Sequence, residues 1–115
     1  MIIRRSALQR IDFGGLSILD YTAEADLGSS LATIEVPPSV RHAKALSRKS
    51  DKYYFVTHGQ VRFMVGDDIA DLTTGDFCLV RRGTVFSYEN LNREPAGLLL
   101  VHTPAFDLGA EVFVD

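Results

Sequence analysis

The chain has 115 residues, 46 % hydrophobic and 23 % charged, with a net charge of −3, a length that suits one domain with a modest core. Mild acidity of this kind does not suggest a nucleic-acid-binding surface, and no run reaches the roughly 18 apolar residues of a membrane-spanning helix. The opening Met1-Ile-Ile-Arg-Arg-Ser-Ala-Leu lacks the apolar stretch of a signal peptide, so a soluble cytoplasmic protein is expected.

Short β-strands separated by turn residues follow one another along the chain, spaced as in a sandwich or barrel. Leu16-Ser-Ile-Leu-Asp-Tyr-Thr follows Gly14-Gly15, and Leu31-Ala-Thr-Ile-Glu-Val alternates and stops at Pro37-Pro38. Ala43-Lys-Ala-Leu-Ser-Arg-Lys has helix-favouring composition and is read as a short helix or a loop. Lys52-Tyr-Tyr-Phe-Val-Thr stops at Gly59, and Gln60-Val-Arg-Phe-Met-Val stops at Gly66-Asp67-Asp68. Ile69-Ala-Asp-Leu, Gly75-Asp-Phe-Cys-Leu-Val, Val85-Phe-Ser-Tyr and Gly97-Leu-Leu-Leu-Val-His complete the series, and the tail from Phe106 is read as a turn and a last short strand. The single cysteine, Cys78, excludes an internal disulfide and a Cys-based zinc site, and its apolar strand predicts a buried thiol. The class is all-β, in a closed or double-sheet form that leaves few exposed edges.

Two stretches resemble the paired motifs of the cupin superfamily. The first runs from Pro37 through Lys52-Tyr-Tyr-Phe-Val-Thr-His-Gly, and the second is Gly75-Asp-Phe-Cys-Leu-Val-Arg-Arg-Gly-Thr-Val-Phe-Ser-Tyr-Glu-Asn. The resemblance covers roughly residues 30–107 and implies a single-domain cupin-like jelly-roll β-barrel spanning 1–115. Family members carry a His-x-His pair and a Glu in the first motif and a His in the second. Without gaps these positions fall on Ala45, Ser47, Lys52 and Phe86, while Asn90 and Gly83 are kept. Ala and Phe have no donor atom, Ser is a poor ligand and an ammonium repels a cation, so no metal and no cofactor are expected. A site rebuilt from His42, His102 and Glu89 is the open alternative; His58, at a turn, is read as exposed.

Alternation places Lys52, Tyr54 and Val56 on one inward face, with Phe86, Tyr88 and Asn90 on another strand. Ala45 and Ser47 are assigned to the mouth, His102 to the face of Leu100, and Met64 is added from its own strand. The pocket expected from these residues is aromatic with a few polar groups, as small-molecule sites are. Lys52 is read as an anion-recognising group, or as a charge neutralised by Asp51 or carried to water by its stem. The leading reading is a small-molecule-binding cupin recognising an anionic metabolite; the basic run Arg41–Lys52 is read as a solvated loop, with steering of an anion to the mouth as the alternative. The alternatives are a metal-independent isomerase, epimerase or cyclase on a sugar or carboxylated substrate, a metal-dependent enzyme with a rebuilt site, and a structural role. The resemblance also implies a homodimer, with Met1-Ile-Ile and Leu16-Ser-Ile-Leu as contact segments.

Overall fold

The structure, a computed structural model, describes residues 1–114. Its strands are β1 (Ile11–Phe13), β2 (Leu16–Asp20), β3 (Ser30–Val36), β4 (Arg41–Ser47), β5 (Asp51–His58), β6 (Gln60–Val65), β7 (Asp68–Thr73), β8 (Phe77–Val80), β9 (Phe86–Glu89), β10 (Ala96–Thr103) and β11 (Glu111–Phe113). One sheet runs β1-β2-β3-β10-β5-β8 and the other β11-β4-β9-β6-β7, with every pairing antiparallel. This is a jelly-roll barrel of two facing sheets.

Strand alternation sets the core. On β5 the residues Lys52, Tyr54 and Val56 are buried, while Tyr53 and Phe55 between them are exposed. The same period buries Leu98, Leu100 and His102 on β10, Val61 and Phe63 on β6, and Phe86 and Tyr88 on β9. Two turns require glycine. Gly14 and Gly15, both at positive φ, close the β1–β2 hairpin. Gly59 (φ 76°) carries the chain from one sheet to the other, and a Cβ there would lie 2.9 Å from Ala96 and the Pro95 carbonyl.

The segment from Ala43 is not helical. It lies in β4, paired with β9 on one side and β11 on the other, so backbone pairing on both edges overrides its helix-favouring composition. The tail forms a short 3-10 turn at Leu108–Ala110 and then β11. Leu16–Leu19 is not a free edge: it pairs with both β1 and β3, and Leu16 and Leu19 are buried, so it offers no strand to a partner. Met1, Ile2 and Ile3 are exposed.

Asn90, expected in the pocket, fastens strand ends instead. Its amide donates to the Val36 and Glu94 carbonyls at 2.9 and 2.8 Å, and its side-chain oxygen accepts from the Asn92 N–H at 2.8 Å. It is fully buried, so nothing replaces these bonds when they are lost. Asn90→Ala should lower stability by about 2–4 kcal/mol, read as the midpoint shift in urea unfolding. A change within the error of that measurement would show that water substitutes at this position.

Candidate functional site

Between the sheets lies a cavity of about 330 Å³. Leu16, Ile18, Ile34 and Leu100 give it an apolar wall, to which Ile11 and Phe13 of β1 and Leu108 and Phe113 of the tail add, the Phe13 and Phe113 ring centres 6.0 Å apart. Its polar groups come from Lys52, Tyr54, His102, Tyr88, His42 and Glu111, together with Ser30 and with Asp20, whose carboxylate accepts the Thr22 N–H at 3.0 Å. Of the residues expected from sequence, the structure therefore brings Lys52, Tyr54, Tyr88 and His102 together. Phe86 and Ala45 are fully buried behind the lining. Ser47 is spent on the β4–β5 turn, where its hydroxyl oxygen accepts the N–H groups of Ser50 at 2.9 Å and Lys49 at 3.2 Å. Met64 lies on the outer face, because it follows buried Phe63 by one residue; Phe63 fills the inward position. His58 is exposed, as expected.

Lys52 is only 3 % exposed. Burial lowers its pKa, and Glu111 opposes that shift by hydrogen bonding and charge. Its ammonium donates to Glu111 Oε1 at 2.5 Å and to His102 Nε2 at 2.9 Å, and lies 5.3 Å from the centre of the Phe86 ring. Asp51 does not neutralise it: Asp51 faces the other way and accepts the Arg82 N–H at 2.8 Å. Nor does the stem reach water. Burial, and then the neighbouring ammonium, push the His102 pKa down to about 3. That imidazole is neutral at ordinary pH, and its Nε2 lone pair receives the Lys52 proton donor.

A bulge in β4 brings in the other histidine. His42 pairs with Tyr88 and Ala45 with Phe86, so three steps along β4 match two along β9. The extra residue reverses the alternation and turns His42 toward the cavity. Its ring packs against Phe86 at 4.9 Å and Tyr88 at 5.2 Å between centroids. Nδ1 contacts the Ala43 carbonyl at 2.6 Å. A carbonyl only accepts, so Nδ1 carries the proton and Nε2 keeps a free lone pair. Burial lowers the His42 pKa and favours this neutral form.

Tyr54 and Tyr88 meet edge to face at 5.5 Å. Burial raises both phenols above their ordinary range, and each bears on the other's ionisation. Their closeness does not give the Tyr88 hydroxyl a well-formed hydrogen bond. It is the one buried side-chain polar atom without a partner among the described residues. Cys78 is half-buried on β8, its thiol pushed up to about 11 by burial.

The donor set does not fit a metal. Among the described residues no group of three or more His, Cys, Asp or Glu side chains converges on a common point. His102 and Glu111 are both engaged by the Lys52 ammonium, and Glu89, adjacent to inward Tyr88 on β9, takes the opposite face. The rebuilt site of His42, His102 and Glu89 is therefore not formed. Glu111 escaped the sequence reading, which considered only the neighbouring Asp51 as a counter-ion for Lys52.

A family profile described as a cupin domain matches residues 32–102. A variant of Streptomyces PAC13 with uridine superposes with a TM-score of 0.86 at 18 % identity, covering 99 % of this chain and 90 % of that one. Pac13 itself, described as a unique nucleoside dehydratase, gives 0.83 at 20 % identity over 99 % and 90 %. KdgF from a Halomonas species gives 0.81 at 12 % identity over 93 % and 96 %. No curated protein sequence matches at a significant level. Structural likeness at such low identity shows the fold.

The neutral His102 makes stability depend on pH. Its pKa is about 3 in the fold against 6.5 ordinarily, so between these values the unfolded chain binds the extra proton. Stability contributed by the neutral ring is present above 6.5 and is lost as pH falls toward 3, and His42 adds to the loss with the same sign. His102→Gln keeps an acceptor for Lys52 and removes the titration. The drop in melting temperature between about pH 7 and pH 5 should shrink by several degrees in that variant. Equal drops in variant and wild type would show that His102 titrates normally.

Proposed function

We propose that this chain, which belongs to the cupin family, binds one small uncharged metabolite of nucleoside or sugar type in the cavity. The observation that carries this reading is the partnerless Tyr88 hydroxyl facing an aromatic cavity whose one ammonium is already paired. Lys52 is balanced by Glu111, and both His42 and His102 favour their neutral forms. The anionic ligand expected from Lys52 alone thus meets no free positive charge. A volume near 330 Å³ stands at the small end of ligand pockets and suits a single nucleoside or sugar. A variant of PAC13, of the same fold, has a solved structure with uridine.

His42 favours a second, catalytic reading. A neutral imidazole with a free Nε2 next to a protonated phenol is an acid–base pair able to take a proton from a bound ligand and return one to a leaving hydroxyl. Loss of water from a nucleoside, the kind of activity by which Pac13 is described, is a proton-transfer reaction of this class.

Supporting a homodimer, the outer face of the six-stranded sheet exposes Tyr53, Phe55 and Phe77 together, and the N-terminal Ile2 and Ile3 are also uncovered. Such a patch is suited to a second copy of itself.

Uridine is the first ligand to test by calorimetry. Wild type should bind it, and Tyr88→Phe should weaken binding roughly three- to tenfold, the value of one hydrogen bond. No binding of uridine or of neutral pentoses would sink the binding reading. For the catalytic reading, mass spectrometry should find a nucleoside product lighter by one water with wild type and not with His42→Gln; its formation by His42→Gln at the wild-type rate would remove His42 from the chemistry. Sedimentation should show a dimer that Phe55→Glu combined with Phe77→Glu turns into a monomer; a wild-type monomer at all concentrations would exclude the pairing.

A further inference from the structure

The Lys52 ammonium is held by two acceptors, Glu111 and His102, and two rings, Phe86 at 5.3 Å and Phe106 at 5.9 Å from their centres. Only one of these partners is an anion. His102 is neutral, and Tyr54 on β5 and Tyr88 and His42 on the facing sheet carry no negative charge at ordinary pH; Asp20, the other carboxylate of the lining, accepts from the Thr22 N–H and hydroxyl instead. Glu111 comes from β11, a three-residue strand that pairs with β4 alone, and its side chain is 7 % exposed. A carboxylate thus reaches the ammonium from the edge of a sheet, much as the end of a ligand would.

We infer that Lys52, His102, Phe86 and Phe106 form a carboxylate-binding subsite whose occupant is the chain's own Glu111, and that Glu111 sets the cavity's preference for uncharged over anionic ligands. The inference rests on the uncharged-ligand reading given above. A carboxylate or phosphate on a ligand has to displace a tethered competitor, whose effective concentration is roughly millimolar or higher. With the tether cut, an ammonium flanked by a neutral imidazole and two rings is left without a counter-ion in a mostly apolar cavity, and a small free carboxylate of the same shape fits there.

The test is thermal unfolding of the full chain in acetate against chloride at equal ionic strength. Acetate should raise the melting temperature of Glu111→Ala in a saturable way, leave wild type unmoved, and lose its effect when Lys52→Met is added to Glu111→Ala. Equal responses in wild type and Glu111→Ala, or a response surviving in the double variant, would overturn the subsite. Should Glu111→Ala be unfolded in chloride, acetate should restore its circular dichroism. Glu111→Gln, which keeps the side chain's shape, gives an independent reading: the ratio of uridine monophosphate to uridine affinity should rise roughly tenfold or more over wild type. An unchanged ratio overturns the specificity role. Uridine binding without acetate rescue removes the subsite alone, whereas rescue without uridine binding by wild type removes the uncharged-ligand reading and leaves the subsite.

Discussion

A buried ammonium is the constraint around which this barrel is arranged. Transferring a lysine charge from water into an apolar interior costs several kcal/mol unless partners meet it there. Lys52 gains those partners from strands distant in sequence, His102 fifty residues on and Glu111 fifty-nine residues on. The β5–β10 pairing sets Lys52 directly opposite His102, and the β4–β11 pairing brings Glu111 in beside Ser47. One electrostatic requirement thus joins three strands drawn from both sheets. It also explains why the short β11 docks at all, since three residues of edge pairing are weak support.

The cavity that results divides its labour between two ends. At one end a charged pair and a neutral imidazole satisfy one another and leave little net field. At the other, His42, Tyr54 and Tyr88 offer a lone pair and hydroxyls amid aromatic rings. Phe86 stands between them, in ring contact with His42 and beneath the Lys52 ammonium. A phenyl ring thus separates a cationic group from a basic one. Polar chemistry in such a cavity depends on individually placed donors and acceptors.

What was legible in the sequence was whatever obeyed a period of two. Lys52, Tyr54 and Val56 alternate with exposed neighbours, so their common face followed directly, as did Phe86 with Tyr88 and His102 with Leu100. Met64 was misplaced because Phe63 and Met64 are both apolar and either phase fits. The Ala43 segment was misread because helix propensity is a local property, whereas its strand state comes from partners on both edges. Asn90 was placed near the ligand although its amide ties chain ends; an amide looks the same in sequence in either task. Glu111 was missed because its partner is far away along the chain, and no local pattern marks an ion pair of that separation.

The bulge in β4 has an implication for descent. Upstream of it, one surplus residue decides whether His42 or Ala43 looks inward. Gaining or losing a single codon there exchanges an imidazole for a methyl in the chamber while every other strand keeps its place. Lineages built on this barrel can therefore trade one chemistry for another by a slip in length, and ancestry traced through point replacements alone would pass over the event.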